Sequence, residues 1–482
     1  MSDYGIAVAT GWTALRALII APWAVFAAGV ILAEFRRTSA VGRRWYWGLL
    51  LASILSPDLV AGYGYSNFSV SLARHSLWNE LFLALLIGLK AAAVAAAVLY
   101  FTPDPALSPS GRHLLRLSRS RVAAFERFRL LVAHGPVARG LPAFAIAFLF
   151  AFQQFELPSL TGITAWTVTL FDRQALLPDL ADSADPLTWP LAVELLALAP
   201  VLLFVVRAIA SGRRSVAPFV ATARSRVAAW ATLFLMVSLT AVVPFAILAR
   251  QGATGFGYLA TNAPNVAAYW KEIGIAAGYG VSSAAIASVA AVGLLKLVSL
   301  SKPPAIGVAL LVLACVPGLC GAMVPSLVAV ECLQHPLLLG LRDTLVPLIV
   351  VLALFLLPRA LLLESLARLL RDGQAIHLAR GLRMSPVSVQ QRAGRSLLWT
   401  LEGFGRFCRF SLLAYWGYLD LTAATILSPP GVVPVTARLY NLMHYGHNAA
   451  LSAMTLVAVA VPVAGFLIVL FLRRLTLRVI AR

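Results

Sequence analysis

Two acidic residues have a spacing and a setting that suit the binding of a cation. Glu156 and Asp420 each follow an apolar stretch, and 264 residues separate them. Carboxylate oxygens are hard ligands that suit a hard cation such as ferric iron, and carboxylates at membrane depth are costly enough to indicate a pathway or a partner. Asp58, which follows Pro57, is a third and weaker candidate. The alternative is a place at the aqueous interface, solvated or capping the next helical turn.

Other residues capable of metal or catalytic chemistry lack a supporting pattern. His444 and His447 are three residues apart, which could place two imidazoles on one helical face, but no acid or cysteine lies nearby. The four cysteines lack the paired spacing of a zinc site; they are Cys315, Cys320, Cys332 and Cys408. No segment has a Ser/His, His-Glu-x-x-His or paired-aspartate arrangement of catalytic spacing.

Lysines are rare, and none belongs to a nucleotide-binding loop. A P-loop requires Gly-Lys-Ser or Gly-Lys-Thr so that the lysine and the hydroxyl reach phosphate and magnesium. The chain has only Lys90, Lys271, Lys296 and Lys302, followed by Ala, Glu, Leu and Pro. We therefore expect no enzyme and no ATPase site in this chain, and any ATP hydrolysis would belong to a partner. Lys90 lies inside an apolar stretch, where it either snorkels or pairs with an interior acid.

These residues are carried by a chain with the composition of a membrane protein. Of its 482 residues, 60% are hydrophobic and 12% charged, about half the charged share of soluble domains. Apolar runs near the ~20 residues that cross a bilayer predict an all-α integral membrane protein with about eleven spans. The predicted spans are Thr13–Ala33, Tyr46–Ala61, Leu81–Phe101, Leu141–Leu160, Thr188–Val206, Val227–Leu248, Ile273–Leu295, Ala305–Val330, Leu345–Leu363, Phe410–Leu427 and Ala449–Leu472.

The net charge of +20 is distributed unevenly between alternate loops. Most of the basic residues fall in every second loop, notably in the segments 102–139 and 364–409, and cytoplasmic loops collect Lys and Arg. This pattern predicts an outer N-terminus and a cytoplasmic C-terminus. The charge is therefore an orientation signal and does not indicate a nucleic acid partner.

The spans are arranged as a repeat. Starts of corresponding spans pair at offsets of about 260 residues, as Thr13 does with Ile273, and Pro57 pairs with Pro317. We predict two homologous units, 1–210 and 211–482, in parallel orientation, with Val227–Leu248 as an extra leading helix of the second. Glu156 and Asp420 obey this offset, whereas Asp58 corresponds to Gly318.

Two stretches carry a resemblance to a known family. Tyr418 to Gly431, followed by Ala437 to Gly446, resembles the C-terminal part of permease subunits of binding-protein-dependent ABC importers, most closely the fused two-unit ferric iron type. The stretch from Phe155 to Asp172 is similar to the first half of such a chain. The resemblance implies the type I ABC importer permease fold.

The resemblance also implies two cytoplasmic segments that dock on an ATPase. The family motif contains a Glu, and neither segment has a Glu at the aligned position. The residues that align with this motif are Leu117, Ser118, Ser120 and Phe125 in the first unit, and Ala379, Leu382, Arg383, Ser385 and Pro386 in the second. Positive-inside topology by itself is the alternative explanation for the arginines of these loops.

What the resemblance implies about function is import of a solute, most simply ferric iron, across a bacterial cytoplasmic (inner) membrane. An extracytoplasmic binding protein would deliver the solute, and a dimer of ABC ATPases on the cytoplasmic face would supply energy from ATP-Mg. The chain itself would bind no cofactor, and its other partner is the lipid bilayer.

Other functions remain as alternatives. Thiamine or another small solute is a possible cargo, and a channel-like or regulatory membrane protein without ATPase coupling is the rival of another class. Gly62-Tyr63-Gly64 and Gly278-Tyr279-Gly280 resemble potassium-channel filters, but no Thr-Val precedes them and their spacing does not follow the repeat. Small residues for helix packing explain these glycines more simply.

Overall fold

The structure is a computed structural model, and all of its regular secondary structure in the described residues is helical. It describes residues 3–35, 37–72, 74–102, 125–126, 136–176, 184–211, 223–261, 263–301, 304–370, 373–444 and 448–481. The chain divides into two compact units, Met1–Leu248 and Ala249–Arg482. Each unit is considered separately below.

The first unit begins with long apolar helices and then alternates long and short ones. Its helices are α1 (Asp3–Phe35), α2 (Ala40–Leu55), α3 (Asp58–Leu72), α4 (Ser76–Phe101), α5 (Pro136–Phe152), α6 (Glu156–Thr161), α7 (Trp166–Leu176), α8 (Ala184–Ser211) and α9 (Ala223–Val237). A π-helical turn, Ser238–Val242, joins α9 to α10 (Val243–Thr261), which contains the boundary between the units.

The second unit follows a similar order of long and short helices. It contains α11 (Ala263–Leu300), α12 (Pro304–Leu319), α13 (Met323–Cys332), a 3-10 turn (Leu339–Leu341), α14 (Val346–Leu370), α15 (Gly373–Arg383), α16 (Ser388–Leu398), a π-helical turn (Trp399–Gly403), α17 (Phe404–Tyr418), α18 (Thr422–Leu427), α19 (Val435–His444) and α20 (Asn448–Ala481).

Six stretches of the described chain are long and apolar enough to cross a membrane, which is compatible with a multi-pass membrane protein. They are Gly5–Phe35, Ser76–Tyr100, Arg226–Gly257, Val266–Leu300, Val346–Ser365 and Ala449–Leu475. A seventh is counted if α12 and α13, bent by 95°, form one span. Each of the six overlaps a span predicted from the sequence.

The remaining predicted spans are interrupted or shorter. The prediction Tyr46–Ala61 is broken between α2 and α3 at Pro57, which has no backbone N–H to continue a helix. Leu141–Leu160 is broken between α5 and α6, and Phe410–Leu427 between α17 and α18. Each break falls at a few polar residues or a proline inside a longer apolar run, and a count of about twenty apolar residues passes over them. The eleven-span arrangement as a whole stays a prediction.

In the first unit, α1 packs against α4 and α5. The contact face of α4 is rich in small residues, and Ala91, Ala92 and Ala95 are fully buried. Small side chains let helix backbones approach closely, which is how helices associate in an apolar solvent. The helix α9 packs against α1, α2 and α4. Packing thus places α9 with the first unit, whereas the predicted repeat grouped it with the second; the two homologous repeats stay a prediction.

In the second unit, α11 packs in the same way against α14 and α17. A Cβ on Gly280 of α11 would lie 2.8 Å from the backbone nitrogen of Tyr418, so only glycine fits this crossing. Ser283, on the next turn of α11, donates a 3.0 Å hydrogen bond to the carbonyl of Ile349 in α14. Helix packing thus accounts for Gly280.

Candidate functional site

The break between α5 and α6 in the first unit is closed by side chains of α7. A helix end leaves carbonyls without an intrahelical partner. Trp166 Nε1 donates to the carbonyl of Phe152 (2.8 Å), and Thr167 Oγ1 donates to the carbonyl of Gln154 (2.7 Å). The turn into α7 passes through Gly162, whose φ of 67° favours glycine. Both of these carbonyls at the break therefore have side-chain donors.

A buried ion pair holds the same region to the helix core. Arg16 of α1 is 7% exposed and binds Glu80 of α4 through two hydrogen bonds of 2.9 Å. The guanidinium also donates to the carbonyl of Thr164 (3.1 Å), and Trp12 donates to the Glu80 carboxylate. Bidentate pairing of this kind fixes geometry as well as charge.

Glu156, the first pathway candidate, lies in the first turn of α6 and is half-buried. The far end of this short helix is held by a separate network. Ser69 of α3 and Asn79 of α4 both donate to the carbonyl of Thr161, at 2.9 and 3.2 Å. A third acid, Glu194 of α8, is fully buried and accepts a 3.1 Å hydrogen bond from Gln153 at the end of α5. Sequence reasoning did not single out Glu194, although an acid inside a predicted span was a usable signal.

Asp58 lies at a different break, where it pairs with Lys90. It begins α3 directly after Pro57, and the Lys90 ammonium of α4 binds its carboxylate and the carbonyl of Ser56 (2.6 Å). That carbonyl is left open by the end of α2. Sequence reasoning singled out both charges but did not pair them. The structure shows that Lys90 has an interior acid as partner.

The same break is tied to the π-helical turn of the first unit. Ser56 Oγ donates to the carbonyl of Thr240 (2.5 Å), and Tyr65 donates to the carbonyl of Leu239 (2.9 Å). The Ser53 and Thr240 hydroxyls are 2.8 Å apart. A π turn shifts carbonyls out of the α-helical pattern, and these side chains satisfy them.

Asp420, the second pathway candidate, lies at the break between α17 and α18. Its Oδ1 accepts a 2.7 Å hydrogen bond from the backbone N–H of Ala423, so it caps α18, and its own carbonyl accepts from Thr436 Oγ1 (3.2 Å). Sequence reasoning offered capping as the alternative role. Capping occupies one carboxylate oxygen and leaves the other to interact with a ligand.

The hydrogen bonds at the two breaks can be compared position by position. Thr436 is the second residue of α19, as Thr167 is of α7, and each donates to the carbonyl of a residue at the preceding break. By this criterion Asp420 is equivalent to Gln154, two residues before Glu156. The sequence offset that pairs the two carboxylates is therefore not the offset of the helix ends.

The candidate docking residues of the first unit lie mostly outside the described residues, which is so for Leu117, Ser118 and Ser120. Phe125 is described and is 74% exposed. The second-unit candidates lie on a helical hairpin formed by α15 and α16. A Cβ on Gly394 of α16 would lie 2.4 Å from the backbone nitrogen of Arg383 and 2.8 Å from the carbonyl of Ala379, so glycine is required for this close crossing.

The five second-unit candidates have different places on this hairpin. Ala379 is fully buried between the helices, Leu382 is half-buried, and Arg383 and Pro386 are exposed. Ser385 forms the turn: its hydroxyl accepts from the N–H of Val387 (3.2 Å) and donates to Gln390 Oε1 (2.6 Å). Apolar side chains of the hairpin nevertheless face outward; they are Leu378, Met384, Val387 and Val389, each 49–77% exposed.

Acidic residues anchor this hairpin to the unit. Glu402 lies 3.7 Å from Arg380 of α15 and 3.3 Å from Arg406 of α17. Glu364, at the end of α14, lies 3.1 Å from Arg409. Part of the arginine excess in this loop therefore has specific partners, beyond a topological role.

Metal ligation finds no support in the described part of the chain, where no three His, Cys, Asp or Glu residues cluster. The side chains of His444 and His447 lie outside what the structure describes. Comparison of the chain with protein-family profiles, with curated proteins and with solved structures found no match.

Proposed function

We propose that this protein is the membrane-spanning permease of an ABC importer. The proposal includes the type I permease fold, with about eleven spans in two parallel repeats, the breaks lying within spans. The recurrence of a long helix packed on two others, followed by a broken helix, supports it: α1 with α4 and α5 in one unit, and α11 with α14 and α17 in the other. The sequence offset of about 260 residues supports it independently.

The observation that carries the proposal is the hairpin of α15 and α16. It lies in the Arg-rich segment 364–409 that the charge pattern assigns to the cytoplasm. Its helices are locked by the crossing at Gly394 and anchored through Glu402, yet it keeps Leu378, Met384 and Val389 exposed. A helical hairpin with an exposed apolar face suits docking on a protein partner. Apolar patches that face water are disfavoured, and a partner would cover this one.

The partners follow from the family resemblance, and the sequence has no P-loop of its own. A dimer of ABC ATPases would dock on this hairpin and on the segment around Leu117, and would hydrolyse ATP-Mg there. An extracytoplasmic binding protein would deliver the solute to the opposite face. We place the protein in a bacterial cytoplasmic membrane, with its N-terminus outside and its C-terminus in the cytoplasm.

The cargo that we propose is ferric iron. Ferric iron comes from the family resemblance and from the hard oxygen ligands of Glu156, Asp420 and Asp58. Asp58 already has Lys90 as its partner, and a bound ammonium lowers the affinity of a carboxylate for a cation. Glu156 and Asp420 remain the pathway candidates for transport assays.

The test uses the full-length membrane protein and two glycine variants of the hairpin. Gly394→Leu must separate α15 from α16, whereas Gly381→Ala is a matched control because a Cβ at Gly381 meets nothing within 4 Å. We expect wild type and Gly381→Ala to co-purify with a P-loop ATPase identified by mass spectrometry, and Gly394→Leu to lose it at least tenfold.

Two further measurements make the outcome decisive. Unchanged thermal unfolding of Gly394→Leu shows that the unit still folds, and Met384→Asp disturbs the exposed face alone. If no P-loop ATPase accompanies the wild-type protein, or if Gly394→Leu and Met384→Asp both retain it, docking through this hairpin is wrong. The channel-like alternative predicts the first of these results.

A further inference from the structure

The second unit contains a group of polar side chains that the docking and pathway arguments do not explain. Tyr279 of α11 is 1% exposed, and its hydroxyl has no partner at hydrogen-bonding geometry within 3.5 Å among the described residues, although the Thr436 side chain approaches it. This hydroxyl lies beside Thr436 and within electrostatic range of Asp420. A buried hydroxyl without a partner costs about 1–3 kcal/mol, so the group needs an explanation such as a ligand.

A guanidinium faces the same region from α14. Arg359 lies within the predicted span Leu345–Leu363, donates one hydrogen bond to the carbonyl of Phe355 (2.8 Å), and stacks 3.8 Å from the Phe355 ring. Trp416 of α17 lies 5.9 Å away on the aromatic side. A guanidinium has five N–H donors, and a half-buried one in an apolar setting favours an anionic partner.

Arg359 and Asp420 interact electrostatically but form no direct ion pair within 4.0 Å. Asp420 uses one carboxylate oxygen to cap α18 through Ala423. The cation and the anion are thus near each other, and each retains hydrogen-bonding capacity. Charges in an apolar environment are stable only when they are paired. A ligand with one anionic and one cationic group would pair with both residues.

We propose that Tyr279, Arg359, Trp416, Asp420 and Thr436 form a binding site for a small organic zwitterion, which we call the Asp420 site. The ligand carboxylate binds the Arg359 guanidinium, and its ammonium binds the free oxygen of Asp420. The Tyr279 hydroxyl donates to the ligand, and the rings of Trp416 and Phe355 cover its apolar part. Residues of four helices of the second unit contribute to it, namely α11, α14, α17 and α19.

The first unit has no such site at the equivalent break. There the place of Asp420 is taken by Gln154, and the indole of Trp166 occupies the carbonyl at the end of α5. The proposed ligand therefore binds once per chain. The adjacent guanidinium also disfavours bare ferric iron at Asp420, because like charges repel strongly in an apolar setting, so an iron cargo would rely on Glu156 rather than on Asp420.

The inference rests on the proposed function only for its role in transport, because binding is measured on the purified chain alone. The probes are glycine, β-alanine and γ-aminobutyrate, which separate the two charges by increasing lengths. Ethylamine and acetate are single-charge controls, and ferric citrate is the metal probe. Thermal unfolding and calorimetric titration in lipid nanodiscs report binding.

We expect one of the three zwitterions to raise the unfolding temperature and to bind with a measurable Kd, with no effect of ethylamine, acetate or ferric citrate at the same concentration. Tyr279→Phe should leave the unliganded protein as stable as wild type or more stable, while weakening binding about tenfold. Tyr269→Phe on the same helix is the matched control: its hydroxyl donates to the carbonyl of Met454, so this variant should lose stability and keep the affinity.

Several results would overturn the site. These are no binding of any of the three zwitterions at tens of millimolar, equal binding of a single-charge control, or an affinity unchanged in both Tyr279→Phe and Asp420→Asn. If a zwitterion binds but no P-loop ATPase co-purifies with the protein, this site stands and the importer proposal fails. If an ATPase co-purifies but no zwitterion binds, the importer proposal stands and this site fails.

Discussion

Each unit has a break between helices, which ends at Trp166 in the first unit and at Val435 in the second. The order of helices around the two breaks is the same, but their chemistry differs. In the first, Trp166 and Thr167 satisfy the carbonyls at the break, and Arg16 with Glu80 clamps it. In the second, only the threonine bond recurs, and Tyr279, Arg359 and Asp420 retain unused donors and acceptors. The same order of helices thus serves as structure in one unit and, in our proposal, offers a ligand site in the other.

The largest expected effect comes from the clamp of the first unit. Arg16→Met removes two hydrogen bonds to the half-buried Glu80 carboxylate and one to the carbonyl of Thr164, which we expect to lower the free energy of unfolding by about 3 kcal/mol. The matched variant in the second unit is Arg438→Met, which removes one hydrogen bond to Glu272 from an arginine that is 38% exposed, against 7% for Arg16. Thermal unfolding in detergent should show a larger loss for Arg16→Met, because three hydrogen bonds are lost instead of one.

The double variant Arg16→Met with Glu80→Met decides between pairing and packing. Removing both charges should restore much of the lost stability, because no unpaired charge remains. Equal losses for the Arg16 and Arg438 variants would mean that the two units do not differ in how their charges are clamped.

A second pair of positions contrasts a charge with a close backbone contact. By the sequence repeat, Asp58 and Lys90 correspond to Gly318 and Leu354, and a Cβ on Gly318 would lie 2.2 Å from the Leu354 carbonyl. Gly318→Ala should force α12 away from α14 and cost about 1–3 kcal/mol in the free energy of unfolding. Gly278→Ala is the control, because nothing lies within 4 Å of its Cβ.

Chemical denaturation with matched lipid content measures both glycine variants. We expect Gly278→Ala to be neutral or stabilising, since alanine is the better helix former. A Gly318→Ala protein as stable as the control would show that α12 and α14 do not cross as closely as their backbones indicate.

A smaller difference separates the hydrogen bonds at the two breaks. Trp166→Phe removes the N–H that satisfies the buried Phe152 carbonyl and should cost about 1–3 kcal/mol. Thr436→Val removes the longer bond to Asp420, for which we expect about 1 kcal/mol or less. Unfolding temperatures that rank the two variants in the opposite order would contradict the stabilising role of the hydrogen bond from Trp166 to the Phe152 carbonyl.

The smallest perturbation is chemical labelling of native cysteines. It reports the side of the membrane on which each labelled segment of the second unit lies. Cys332 is exposed at the end of α13 and is predicted to face outward, whereas Cys408 lies in the predicted cytoplasmic segment. A membrane-impermeant maleimide on intact cells should label Cys332 and reach Cys408 only after permeabilisation. Labelling in the reverse order would invert the predicted orientation.

The rate at Cys408 depends on its surroundings. Burial raises the pKa of the Cys408 thiol, and the neighbouring Arg409 partly opposes the shift. Since the thiolate is the reactive form, labelling of Cys408 in permeabilised cells should be slow near pH 7, accelerate as the pH rises toward that pKa and level off only above it. A rate that already levels off at or below the ordinary pKa of a thiol would contradict the burial of this thiol.

Features with a local or periodic signature were accessible from the sequence. Apolar runs located the six long helices, because about twenty apolar residues are needed to cross a bilayer. The Arg-rich segment 364–409 marked the place of the hairpin, and its Ala379 proved to be a fully buried contact between α15 and α16. The glycine at 280 was expected to serve helix packing, and it does.

Features that depend on distant partners were not accessible. Lys90 and Asp58 were both candidates, but 32 residues and a helix break separate them in sequence, and only the turn at Pro57 brings them together. Tyr279 appeared in a motif explained by its glycines, so its own hydroxyl drew no attention. The sequence offset paired Glu156 with Asp420. At the helix ends the offset differs by two residues, which places Gln154 instead of Glu156 opposite Asp420.

The sequence by itself determined that the chain is helical, highly apolar and basic in alternate loops, because composition and periodicity reflect the solvent that each segment meets. Only the tertiary structure decided where helices break and which carbonyls, charges and hydroxyls find partners. The physical reason is that apolarity is a property of each residue, whereas satisfaction of a buried polar group depends on what another helix places within about 3 Å of it.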